Sequence, residues 1–224
     1  MSNGPPRSAW TDPLAWDHNS HYHGHLIRRL PEHAARVLDV GCGEGRLART
    51  LAERGLQVDA LDADPDAILR ARALTPARLG VRYRAVPLEE ADTEHRAYDA
   101  VTAVAVLHHM PLGPALDRLA DAVAPGGTLA VLGLYREAHP ADFAATAAAL
   151  LPQWFMGAGL RLAGSPFRPT DPPGVPEAPM RMCDPAQTLP EVRAEAARRL
   201  PGAQVRRLLF WRFSLVWTRP AQGA

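Results

Sequence analysis

Residues 37–45, Val-Leu-Asp-Val-Gly-Cys-Gly-Glu-Gly, constrain the fold of this chain more than any other stretch. A short apolar run leads into an acid and then three glycines at alternate positions. Glycine lacks a Cβ, so such a loop can turn sharply from a strand into a helix and bring backbone close to a ligand, as nucleotide-binding α/β sheets do. The spacing then discriminates among ligands. A dinucleotide fingerprint places its third glycine at position 46, which is Arg46. A phosphate-cradling P-loop needs a lysine, and all 25 basic residues of this 224-residue chain are arginine. What remains is a loop suited to a nucleoside carrying an amino-acid tail. Asp39 is available to face a positively charged amino group.

The rest of the composition narrows the class. With 47% hydrophobic and 22% charged residues, the chain fits a single domain with a core of its own. Twenty-five basic against 24 acidic side chains leave no global field to attract nucleic acid or an anionic membrane. Cys42 and Cys183 have neither zinc-site spacing nor a disulfide framework, so no metal is expected and a reducing cytoplasm is the simplest setting. Residues 1–15 read as a flexible tail without the basic cluster and apolar run of a secretion signal. Residues 143–160 carry no charge over 18 positions, but Pro152, Gln153, Gly157 and Gly159 favour a buried or substrate-facing helix over a membrane span.

Strands and helices alternate along most of the chain. A polar and aromatic helix is expected from Trp16 to Leu30, ending at Pro31. Strands follow at 37–40, 57–61, 81–86, 98–105 and 128–134, with helices at 46–54, from Asp64-Pro65 to Leu74, and at 114–123. Five apolar strands separated by helices imply a parallel sheet covered on both faces. Residues 136–190 form a substrate-side helix and an insertion, with nine prolines between Pro152 and Pro190, too many for regular structure. A helix at 191–200 and two strand-like runs, 204–210 and 213–218, close the chain. Two residues separate those runs, so they must pair antiparallel.

These segments resemble a class I S-adenosylmethionine-dependent methyltransferase of the small-molecule, natural-product tailoring type. The glycine loop is similar to the family's first motif, and Asp62, in Leu61-Asp-Ala-Asp-Pro65, matches the acid that grips the ribose hydroxyls. Tyr98-Asp99 through Val106-Leu-His-His-Met-Pro111 is similar to the fourth strand and its turn, and Ala124-Pro-Gly-Gly-Thr-Leu129 to the turn before the fifth. The resemblance covers residues 16–135 and 186–219 of one domain. It implies a doubly wound, mostly parallel seven-stranded sheet in the order 3-2-1-4-5-7-6, with strand 7 antiparallel and an N-terminal lid helix at 16–31. The cofactor implied is S-adenosylmethionine, leaving as S-adenosylhomocysteine. Its implied contacts are Tyr22, Asp39, Gly41, Cys42, Gly43, Gly45, Asp62, Ala63, Leu88, Glu89 and Ala103, with Tyr22 reaching the methionyl carboxylate from the lid helix. The sequence departs from the family at Pro87, where an acid usually receives the adenine amino group. Adenine would then rest on the Leu88 backbone and on Glu89.

Displacement at a sulfonium methyl needs alignment and exclusion of water, plus a proton acceptor when the nucleophile is a hydroxyl or a protonated amine. His109, His108 and His23 are the candidates, the first two in the turn after strand four. His18, His21 and His25 share a helix face that Tyr22 and His23 do not, which argues against one metal site. Thr170-Asp-Pro-Pro173 imitates a nucleic-acid amino-methyltransferase motif but lies far downstream of strand four. The arginines at 193, 198, 199, 206 and 207 read as solvated charges. The expected substrate is a small, fairly apolar metabolite methylated at O, N or C. Trp154, Phe155, Met156 and Phe167 would shape its pocket, and homodimerisation is possible without nucleic acid or a membrane span. An S-adenosylmethionine-binding cyclase or pericyclase, a non-catalytic partner and a nicotinamide oxidoreductase are the alternatives.

Overall fold

The apolar runs become seven strands of one sheet in a computed structural model, which describes residues 18–138, 184–209 and 211–221, with side chains from Tyr22 onward. The order is β3-β2-β1-β4-β5-β7-β6, as the resemblance implies. The strands are β1 (Arg36–Val40), β2 (Gln57–Asp62), β3 (Arg82–Ala85), β4 (Tyr98–Val104), β5 (Val123–Leu134), β6 (Gln204–Arg207) and β7 (Arg212–Thr218). β1 to β5 pair in parallel, and β7 runs antiparallel to both β5 and β6. Among the described residues five α-helices accompany them: α1 (His18–Ile27), α2 (Arg46–Ala52), α3 (Pro65–Leu74), α4 (Leu112–Ala122) and α5 (Leu189–Arg199).

Strand alternation sends successive side chains to opposite faces, and the core divides accordingly. Leu38, Val40, Leu61, Val101, Leu129 and Val131 pack on one face against Leu116, Leu119 and Val192 of α4 and α5. Val37, Val58, Ala60, Ala130 and Leu132 pack on the other against Leu26, Leu47, Leu51 and Ile68 of α1 to α3. Each leucine so buried stabilises the fold by about 1.5–3 kcal/mol relative to exposure. Helix ends follow local chemistry. Asp64 caps α3 by accepting the Asp66 N–H at 2.9 Å, with Pro65 in the first turn. Thr188 and Glu191 form a capping box on α5, two residues before the start expected from sequence.

Other boundaries also shift. β5 begins at Val123 and passes through Pro125-Gly126-Gly127, which the sequence marks as a turn. A register shift against Tyr98 and Ala100 accommodates it, and a Cβ on Gly127 would come within 2.8 Å of the Asp99 carbonyl oxygen. β6 stops at Arg207, short of the expected run to 210, and the Leu208 N–H donates to the Arg212 carbonyl at the hairpin turn. The tail, the proline-rich insertion with Trp154, Phe155, Met156 and Phe167, the uncharged stretch at 143–160, the Asp-Pro-Pro decoy and Cys183 lie outside the described residues. No described helix is long and apolar enough to cross a membrane.

Candidate active site

Strand order reverses between β1 and β4, so their carboxyl ends diverge into a crevice of the kind that binds ligands in open α/β sheets. The glycine loop leaves β1 on one side of it. Gly41, Gly43 and Gly45 have φ of 68°, 51° and 75°, in the left-handed region where a side chain is strained. Their spatial reasons differ. A Cβ on Gly41 would lie 2.4 Å from the Val106 Cβ in the turn after β4, and one on Gly45 would lie 2.2 Å from the Tyr83 hydroxyl on β3. At Gly43 it would meet nothing within 4 Å. Thus two of the three glycines admit neighbouring parts of the protein, and the middle one faces open space.

Carboxylates and arginines set the loop's shape. Asp62, at the end of β2, accepts the Gly43 N–H at 2.7 Å through Oδ2 and the Asp64 N–H at 2.9 Å through Oδ1. Each oxygen keeps a further lone pair, so the carboxylate can still take ribose hydroxyls. The Gly41 and Cys42 N–H groups both donate to the Leu61 carbonyl, at 2.8 and 2.9 Å. Arg49 of α2 donates to the Glu44 carbonyl at 2.6 Å, and Arg70 of α3 pairs with the Glu44 carboxylate at 2.8 Å. Burial pushes the Cys42 thiol up, with Asp39 and Asp62 adding to the shift, so it stays a thiol.

Asp39 lies beneath this loop, 1% exposed. Its Oδ1 accepts the Thr102 hydroxyl of β4 at 2.8 Å, while Oδ2 is buried without a hydrogen-bond partner. Burial pushes its carboxyl up to about 7, and Asp62 adds to the shift, while Thr102 and the nearby Ala48 backbone N–H, which makes no hydrogen bond to Oδ2, oppose it. A buried acceptor lacking a donor fits a cofactor with an ammonium group.

On the other side of the crevice, Ala105 takes φ 51° as β4 ends, and its N–H donates to the Leu132 carbonyl at 2.7 Å. Residues 107–109 then make one 3₁₀ turn. The rings of His108 and His109 lie 4.0 Å apart at 41°. His109 is exposed, whereas His108 is partly buried with Nδ1 enclosed and unpartnered. Burial, with His109 adding to it, lowers the His108 imidazole to about 4. His108 is therefore neutral across the physiological range.

The remaining predicted residues divide by position. Ala63 and Glu89 are exposed just beyond β2 and β3. The Leu88 side chain is in the core and its carbonyl accepts Arg118 at 3.3 Å, while Ala103 is buried in the sheet, so both could offer a ligand backbone only. Tyr22 packs in the α1 to α3 core, its hydroxyl donating to the Leu209 carbonyl at 3.5 Å, toward the β6–β7 hairpin. His23 is partly exposed on the same helix. No cluster of metal-ligating side chains occurs among the described residues. Sequence reasoning missed Thr102, Tyr83, Arg49 and Arg70. Only their contacts reveal them, since a lone threonine, tyrosine or arginine carries no motif.

Sheet order, glycine loop and buried acid together define a Rossmann-like protein of the methyltransferase type. Residues 38–129 match the family model of a methyltransferase domain. An uncharacterized methyltransferase of Mycobacterium tuberculosis (strain ATCC 25618 / H37Rv) is 34% identical over 216 residues, 92% of this chain and 98% of that protein. A ubiquinone biosynthesis O-methyltransferase of Xanthomonas axonopodis pv. citri is 40% identical over 124 residues, and the match spans 54% of this chain and about half of that protein, 51%. Among solved structures, a protein from Pyrococcus horikoshii OT3 has the same fold with a TM-score of 0.62 at 18% identity, covering 94% of this chain and 95% of that one. The chain belongs to the class I S-adenosylmethionine-dependent methyltransferases.

Proposed function

We propose that the protein methylates a hydroxyl oxygen of a small, fairly apolar metabolite in natural-product biosynthesis, with S-adenosylmethionine as donor. S-adenosylmethionine supplies a methyl carbon made electrophilic by its sulfonium. Asp39 and the glycine loop hold the methionyl end, Asp62 takes the ribose hydroxyls, and the Leu88 backbone and Glu89 meet the adenine that Pro87 cannot bond. His108 accepts the proton as the hydroxyl oxygen forms its bond to the methyl carbon and the carbon–sulfur pair departs with sulfur. A base lowered to about 4 does not ionise the hydroxyl beforehand; it takes the proton as the transition state releases it.

The observation that carries this reading is the unpartnered acceptor beneath the glycine loop, with a neutral imidazole in the turn that follows β4. Oxygen is favoured over nitrogen or carbon because the Xanthomonas relative, matched over about half its length, is named an O-methyltransferase. The arginine-only basic composition, typical of GC-rich coding, accords with a bacterial biosynthetic setting. Incubation with methyl-labelled S-adenosylmethionine and a panel of hydroxyarenes tests it. Label on oxygen is the expected result; label on nitrogen or carbon, or ring formation without label, overturns the oxygen assignment.

A further inference from the structure

Arg70 is 4% exposed on the inner face of α3, beside Ala67, Ile68 and Ala71. Arginine is rarely buried to this degree without a partner, and here one paired anion belongs to the glycine loop: Nε donates to Glu44 Oε1 at 2.8 Å. A buried ion pair adds little stability over an apolar side chain of similar size, because desolvation offsets the attraction. What the pair does add is a fixed place for Glu44. That residue stands between Gly43 and Gly45, the two positions with the least conformational restraint of their own.

Glu44 also adds a negative charge to this loop. Asp39 and Asp62 already place two carboxyl groups around the site, and the methionyl tail brings a carboxylate of its own. A third anion in the loop, left unpaired, would repel that carboxylate. Arg70 offsets that charge from α3. Arg49 and Asp62 meanwhile hold the loop at the Glu44 carbonyl and the Gly43 N–H, so three ties from three elements meet on adjacent residues.

We propose that Arg70 is a positioning residue for the cofactor, fixing the glycine loop through Glu44 and neutralising Glu44 against the methionyl carboxylate; this rests on the cofactor reading above. Calorimetric titration of the full chain with S-adenosylhomocysteine tests it, using R70M, R70K, E44Q and the double variant E44Q/R70M. R70M is expected to raise Kd about tenfold, R70K and E44Q about threefold, and the double variant to bind better than R70M alone because the unpaired anion is gone. Amide hydrogens of residues 43–45 should exchange faster in R70M without ligand. Kd values within twofold of wild type in R70M and E44Q, with only a lower Tm, would overturn the proposal and leave the pair a packing feature. If R70M fails to fold, E44Q decides, since Glu44 is partly exposed. Absence of binding by the wild-type chain would instead sink the cofactor reading itself.

Discussion

Asp39, buried, and His108, partly buried, are titratable side chains whose environments push them in ways that have opposite consequences. Asp39 has a folded value raised to about 7 against about 4 unfolded, so its stabilising contribution is full below about pH 4 and is lost as pH rises through 7. Asn at this position keeps the Thr102 contact without the charge. Asp39→Asn is therefore expected to raise the Tm of the ligand-free protein at pH 8 and leave it nearly unchanged at pH 4, by scanning calorimetry at both values. The same change should weaken S-adenosylhomocysteine binding at pH 8 by about ten- to a hundredfold, since a charge-assisted contact contributes about 1.5–3 kcal/mol. Wild-type binding should release a proton between pH 6 and 7, visible as a dependence of the titration heat on buffer ionisation enthalpy. Equal heats in phosphate and Tris would count against Asp39 as the ammonium's partner. His108 titrates elsewhere. With its value at about 4, kcat should stay level from pH 8 down to 5, and His108→Ala should lower kcat about 10²–10⁴-fold while S-adenosylhomocysteine affinity holds. A comparable loss in His109→Ala alone would assign the base to the exposed ring.

Among the elements, the glycine loop shows why a motif can be read correctly for partly the wrong cause. The alternation of glycines marks the site, yet packing on Val106 and Tyr83 accounts for two of them. Gly45→Ala is expected to cost about 2–4 kcal/mol through strain at φ 75° and overlap with the Tyr83 hydroxyl, lowering Tm by about 5–15 °C. Gly43→Ala should cost only about 1–2 kcal/mol in the ligand-free protein but abolish measurable S-adenosylhomocysteine binding, because its Cβ occupies the open side of the loop. Equal loss of stability in both variants would contradict this division. The central strands β1, β2, β4 and β5 were legible as apolar runs, and sheet order followed from resemblance. The end of β6 and the start of β5 were not, because hairpin geometry and register with Tyr98 and Ala100 decide them. The capping box at Thr188 was legible and passed over, hidden by Pro190 between its two members. Within the site, residues carried by a motif could be named in advance, whereas Thr102 and Arg70 act through contacts separated by 63 and 26 positions.

At the scale of the whole molecule, polar groups concentrate at opposite ends of the sheet with different tasks. The carboxyl end carries the crevice. Toward the amino end, Asp59 is 6% exposed and accepts from Arg36 at 3.2 Å, from Arg82 at 2.8 Å and from the Tyr98 hydroxyl at 2.9 Å, tying β1, β2, β3 and β4 together. Arg36 also pairs with Glu94 and lies 4.5 Å over the Tyr98 ring. Burial pushes the Asp59 carboxyl up, but the two arginines and Tyr98 outweigh it and hold it below the usual carboxylate range. A depressed value means that its stabilising contribution is present above the unfolded pKa and disappears as pH falls through the folded one. Asp59→Asn should therefore lower stability by about 1.5–3 kcal/mol at pH 7, and the Tm gap from wild type should close below about pH 4. S-adenosylhomocysteine affinity should remain within twofold, since nothing in this network touches the glycine loop or the histidine turn. An affinity loss matching the stability loss would mean that strand alignment at the amino end sets the geometry of the crevice. The contrasting pH dependence of Asp39→Asn and Asp59→Asn, measured on one instrument, separates an acid kept for a ligand from an acid kept for the fold.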